Sequence, residues 1–252
     1  MGILDFAGGT VVHINAGFSA LALVMLLRSR KGFLKVPMEP HNTPMVMLGA
    51  ALLWFGWFGF NAGSSLAADG LAANAFVATN TAAAAAAFTW LLLSWRQRRP
   101  TLLGAATGAV AGLVAITPAA GFVAPIAGIP IGIGAAAVCY YALLFIKTKL
   151  HFADSLDVFA VHGVGGIFGA LATGVFATAA LTNGDGGLLT SNGMQLLKQV
   201  VGIAAVGGFA FTGSWLVGKL VDVTIGLRVS ETEETVGLDI SQHGERAYGG
   251  LR

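Results

Sequence analysis

Seven apolar stretches, each long enough to cross a lipid bilayer, constrain this chain more than anything else in it. A spanning helix needs about 20 mostly apolar residues, and inside the hydrocarbon its backbone has to satisfy its own hydrogen bonds. The stretches at 3–27, 45–66, 74–95, 102–118, 122–146, 156–180 and 194–225 meet that need. The interval 100–146 carries no charge and is too long for one crossing at about 1.5 Å per residue. Thr117-Pro118, Gly121 and Pro125 supply its break. The last stretch exceeds one crossing and is expected to bend or project. Composition agrees, with 56% apolar and 10% charged residues and a mean hydropathy of +0.77, whereas about a quarter of a globular protein is charged. Lipid has to cover most of this surface. The expected fold class is all-α, a polytopic membrane helix bundle, with residues 1–225 as the transmembrane domain and 226–252 as a polar cytoplasmic tail.

The basic residues orient the bundle, because they gather in cytoplasmic loops. Arg28, Arg30, Lys31 and Lys35 lie in the first connection, Arg96, Arg98 and Arg99 in the third, and Lys147 and Lys149 in the fifth. The second, fourth and sixth connections have none. Lys219, Arg228, Arg246 and Arg252 follow near or beyond the last stretch, and only Lys198 falls on the opposite side. The expectation is a multi-pass cell-membrane protein with its amino terminus outside and its carboxyl terminus cytoplasmic. Met1-Gly2-Ile3-Leu4-Asp5 has no basic run, so the first stretch reads as a helix and not as a secretory leader. The single cysteine, Cys139, reads as a buried small residue. Glycines recur at close spacing, at Gly104, Gly108 and Gly112 and again at Gly165, Gly166, Gly169 and Gly174, as they do where membrane helices approach closely.

Of five histidines, His41, His151 and His243 fall in polar connections or the tail and are expected to be solvated. His13 and His162 lie inside apolar stretches, where an ionisable group is costly and marks a pathway or a buried partner. Each follows an aspartate, Asp5 eight residues before His13 and Asp157 five residues before His162. The two surroundings echo each other on stretches that run in opposite directions, the pattern of an inverted repeat. A neutral imidazole has one donor and one acceptor nitrogen, so two facing rings form a short proton relay. A permanent cation would want carbonyl or carboxylate oxygens, and no intramembrane carboxylate cluster is present. The permeant species is therefore expected to shed its charge, as ammonium does by yielding a proton. The second stretch, Trp54-Phe55-Gly56-Trp57-Phe58-Gly59-Phe60-Asn61-Ala62-Gly63-Ser64, suits either a cation-attracting mouth or an interfacial aromatic belt, and the residues leave both open.

These blocks resemble the ammonium transporter family. Asp5-Phe6-Ala7-Gly8-Gly9-Thr10-Val11-Val12-His13, Gly56-Trp57-Phe58-Gly59-Phe60-Asn61-Ala62-Gly63-Ser64, Asp157-Val158-Phe159-Ala160-Val161-His162-Gly163 and Gly226-Leu227-Arg228-Val229 occur in the family's order, and Gly237-Leu238-Asp239 and His243-Gly244-Glu245 resemble its tail. The resemblance implies a homotrimer in which each subunit has its own pore for ammonium or ammonia. It makes His13 and His162 the twin histidines of the lumen, Phe60 part of the outer gate, Trp57 a lining aromatic, Ser64 a recruiting hydroxyl, and Asp5 an acidic residue that shapes the mouth through the backbone. Asp157 is the matching structural acid on the sixth stretch. The tail is expected to touch a neighbouring subunit and a PII-type regulatory protein. Family members have eleven helices in two inverted halves of five plus a last one. This sequence resembles the fifth onward, so that it reads as a fragment, a split subunit or a late-start gene product. With one wall of the path absent, the flank of His13 and the glycine-rich faces of the first and sixth stretches are expected to meet lipid or another subunit.

Three other readings compete. A Rh-type ammonia channel is the near one, and the tail disfavours it. A membrane redox protein would use His13 and His162 as axial ligands of one heme. A non-conducting fragment would only associate with complete subunits. No nucleophile, base and acid set or metal-ligand cluster points to an enzyme, and no cofactor and no nucleic-acid partner are expected.

Overall fold

Proline and glycine placement divides the apolar sequence into helices very nearly where hydropathy does. The computed structural model describes residues 2–97 and 99–248. Met1, Arg98 and Arg252, used above in reading the amino terminus and the basic loops, lie outside them. Among the described residues there is no strand. The apolar helices are α1 (Gly9–Leu27), α2 (Thr43–Ala62), α3 (Gly70–Gln97), α4 (Leu102–Ile116), α5 (Gly128–Thr148), α6 (Phe159–Phe176) and α7 (Gly193–Thr224). Two short helices, α8 (Glu231–Val236) and α9 (Leu238–His243), form in the tail. Six of the apolar helices are long enough to cross a bilayer unaided, and α4, with 15 residues, is shorter. It covers only about 22 Å. Pro118 has no N–H to continue it, and the chain goes on through turns to Pro125. Helix α7 runs 32 residues without interruption, so the excess length projects.

The centre of the bundle is α3, α4 and α5, and small residues bring them together. Ala82, Ala83 and Ala86 of α3 are fully buried, as are Leu113, Val114, Ala115 and Ile116 of α4. A Cβ at Gly112 would lie 2.5 Å from the Ala82 carbonyl oxygen, so only glycine permits the α3–α4 approach. Helix α2 leans on α3 and α4, tied by the Asn61 amide, which donates to the Thr79 hydroxyl at 2.9 Å. Helix α7 lies along α1 and α6. Outward faces are apolar, with Phe55 of α2 75% exposed and Phe209 of α7 79% exposed. Water would not leave such a belt bare, and lipid is its natural solvent.

The connections sort to two ends. At one, the Ser29 hydroxyl bonds the His151 carbonyl, Arg228 bonds the Leu27 carbonyl, and Lys31 meets the tail at Glu234 and Thr235. Exposed His41 stacks on Tyr248 there, with ring centroids 5.1 Å apart. At the other end, the Asn74 amide donates to the carbonyls of Ala120 and Val123, and the Thr178 amide to that of Phe122. The first and fifth connections and the tail thus share one end.

Candidate functional site

Helices α1 and α6 are antiparallel, and both open with a wide π turn, Gly9–Ile14 and Phe159–Val164. Such turns carry one extra residue and are frequent at functional sites. Each is capped by an aspartate five residues ahead of the amide it accepts. Both Asp5 oxygens take the Thr10 N–H at 3.0 Å, and Asp154 Oδ2 takes the Phe159 N–H at 2.7 Å. Asp5 stands eight residues before His13, and Asp154 stands eight before His162. The internal echo therefore runs through Asp154, a residue that sequence reasoning passed over in favour of Asp157. Asp157 has positive φ, 58°, and pairs with Lys147 at 2.6 Å. The spacing of eight was the signal that could have found Asp154.

The amino-terminal turns of α1 and α6 overlap, and glycine makes this possible. A Cβ at Gly17 would overlap the backbone of Gly163, and one at Gly166 would press on Ile14 and His13. The crossing brings His13 Nδ1 to 3.2 Å from His162 Nδ1. His13 Nε2 lies 3.3 Å from the Thr117 hydroxyl, which also accepts the Trp57 indole N–H at 2.9 Å. Trp57 stacks on the His13 ring at 5.3 Å, and Phe60 stands 6.2 Å away, edge-on to Trp57. Direct contact between the imidazoles leaves no space for a porphyrin, which disfavours the heme reading.

His13 is only 3% exposed. This corrects the expectation that its flank meets lipid: Trp57, Phe60, Thr117 and His162 enclose it. The glycine faces are likewise packed, Gly165 against Cys139 and Gly169 against Ala115. Exposure falls on the neighbours, Val11 at 56%, Val12 at 42% and Phe60 at 39%. Ser64, one turn beyond Phe60, is half-buried and donates its hydroxyl to the Phe60 carbonyl at 2.8 Å. The structure thus gathers His13, His162, Trp57 and Phe60, with Ser64, Asp5 and Asp157 at its margins.

Thr117 joins this centre although the sequence marked it only as part of a helix break. Polar anchoring on α7 also went unseen. The Gln199 amide donates to the carbonyls of Leu4 and Ala170, its oxygen accepts the Leu4 N–H, and Gln195 donates to the Gly2 carbonyl. Both glutamines are buried. The extended segment they hold passes the end of α4, where the N–H groups of Phe6 and Ala7 bond the carbonyls of Pro118 and Thr117. That supports the mouth of the His13 turn.

Comparison with known proteins agrees with this geometry. Residues 1–248 match the model of the Ammonium Transporter Family. The chain is 51% identical over 249 residues to ammonium transporter Amt1 of Archaeoglobus fulgidus, covering 98% of this chain and 63% of that protein. It is 49% identical over 250 residues to the ammonium transporter of Bacillus subtilis, covering 98% and 61%. The crystal structure of Candida albicans Mep2 superposes with a TM-score of 0.86 at 38% identity, covering 92% of this chain and 54% of that one. The chain spans about three fifths of the length of the curated relatives it matches. An antiparallel pair of capped π turns with bonded histidines, in a sequence matched over nearly its whole length, assigns the chain to the ammonium transporter family.

Proposed function

We propose that the chain supplies one wall and the proton-handling centre of a path that carries ammonium-derived nitrogen across a membrane as ammonia. The observation that carries this reading is the 3.2 Å contact between His13 and His162 in a chain of this family. The pair is enclosed by aromatic rings, a threonine and glycine backbone, and among the described residues there is no cluster of carboxylates to hold a permanent cation. An ammonium ion that yields its proton avoids the cost of entering such a lumen charged, and imidazole takes and passes protons. In this reading Trp57 lines the path, Phe60 belongs to its outer gate, Ser64 recruits the cation with its hydroxyl, and the capping carboxylate of Asp5 holds the mouth. Asp157 braces the start of α6 through Lys147. The end bearing the basic loops and the tail faces the cytoplasm, where a PII-type protein docks, and three subunits assemble with one path each. A closed lumen needs a further wall over Val11, Val12 and Phe60, which is why a non-conducting association is the second reading.

Liposomes with an imposed ammonium gradient test it. The chain alone is expected to conduct weakly. Fused to the part of the Bacillus subtilis relative that it does not match, it should conduct saturably. His162→Leu in that fusion should abolish the flux or alter its charge movement while the melting temperature stays nearly constant. Unchanged flux and unchanged current in His162→Leu would reduce the pair to a structural contact.

A further inference from the structure

We infer that Thr117 is a positioning residue that locks the histidine pair into one arrangement of hydrogens, His13 protonated on Nε2 and His162 on Nδ1. The significance of this lock rests on the proton-handling reading above, but the argument for it is one of donors and acceptors. Helix α4 tightens as it ends: the Thr117 N–H bonds the Val114 carbonyl at 3.3 Å, and Pro118 has no N–H at all. The Leu113 carbonyl, left without an amide, takes the Thr117 hydroxyl hydrogen at 2.7 Å. A threonine has one such hydrogen, so its oxygen can only accept from its other neighbours. The Trp57 indole N–H, which never accepts, fills one lone pair at 2.9 Å. His13 Nε2, at 3.3 Å, faces the other and must donate.

The consequence passes along the pair. With Nε2 protonated, the Nδ1 of a neutral His13 is bare and accepts, so the nitrogen opposite it at 3.2 Å, His162 Nδ1, carries the hydrogen. His162 Nε2 is then bare, and no described residue bonds it. A proton reaching the neutral pair is taken up at that nitrogen. Relay moves the Nδ1 hydrogen of His162 to His13 Nδ1, leaving His162 neutral on Nε2–H and the positive charge on a His13 ring whose Nε2–H remains on Thr117. The pair therefore loads from the α6 side.

Solid-state nitrogen NMR of the chain in lipid tests the assignment without any transport measurement, so failed flux leaves it standing or falling on its own. Ring nitrogens bearing hydrogen resonate far from bare ones. Replacing the exposed histidines (His41→Gln, His151→Gln, His243→Gln) leaves only the pair, and the residues that follow, Ile14 and Gly163, tell the two rings apart. At a pH where both are neutral, His13 is expected with hydrogen on Nε2 and His162 with hydrogen on Nδ1. Thr117→Ser should keep this pattern, and Thr117→Val, nearly the same shape without the hydroxyl, should lose it and show both forms of His13. The inference is overturned if the native rings carry their hydrogens otherwise, if Thr117→Val leaves the pattern intact, or if Thr117→Ser destroys it.

Discussion

At the scale of single residues, the two aspartates that precede α6 have unequal tasks although they stand three positions apart. Asp154 is 6% exposed and caps the π turn through the Phe159 amide at 2.7 Å. Removing it leaves a part-buried N–H without its partner at the base of the His162 turn, a loss of about 0.5–2 kcal/mol. Asp157 faces Lys147 with 19% of its own side chain and 31% of the lysine's exposed, and such pairs contribute at most about 1 kcal/mol. Asp154→Ala should therefore lower the thermal midpoint in detergent clearly more than Asp157→Asn. Asparagine is the fair comparison, because it tolerates the positive φ of 58° that alanine would not. Equal losses in the two variants would contradict the cap assignment.

Among the elements, the α1–α6 crossing is set by bare backbone. The small residues of α6 were legible as an interface, because their spacing lies within one helix. Gly17 gave no such signal, since the obstacle to a side chain there is Gly163, a residue far away in sequence. Gly17→Ala forces a methyl into main chain, which cannot swing aside as a flexible side chain does, at about 1–3 kcal/mol or more. Gly49 in α2 has open space around it, so Gly49→Ala is the matched control and should be neutral or slightly stabilising. Folded yield and melting temperature of both variants check this, and equal behaviour would mean that α1 and α6 do not meet backbone to backbone. The histidine contact should weaken with the crossing, since the same turns carry both.

For the whole molecule, the tail acts as a clasp on the connection between α1 and α2. Ser230 and Glu233 cap α8 reciprocally. Glu234 bonds the Arg228 guanidinium at 2.9 Å and the Lys31 amide at 2.6 Å. The Arg228 side chain beside it holds the Glu234 carboxyl below its ordinary value of 4.5, and bonds from Ser230 do the same for Glu233. A depressed carboxylate stabilises docking fully above that ordinary value and loses its effect as pH falls through the lower, folded one. The clasp is thus expected to hold at neutral pH and to loosen only below 4.5. Salt should weaken it, because the groups are exposed. Amide exchange of residues 230–243, corrected for the intrinsic effect of pH, should rise in that acid window, and Glu234→Gln should show part of the rise already at pH 7. Exchange that stays flat into strong acid would mean that the apolar contacts of the tail hold it without the carboxylates.

What the sequence by itself determined about this protein is what hydropathy and residue type carry locally. The helices, the break at Thr117-Pro118, the polar tail and the two membrane histidines all belong to that class, because a charge or a proline in an apolar run has the same cost wherever the run packs. Residue type also singled out His13 and His162, which the structure brings into contact. The tertiary structure alone decided which groups complete it. Thr117 reaches His13 across 104 residues, Trp57 covers the ring from another helix, and Asp154 replaces Asp157 as the counterpart of Asp5. Hydrogen bonds are made by atoms within about 3 Å, whatever their separation along the chain, and only the crossing of antiparallel helices on glycine backbone brings these atoms within that reach.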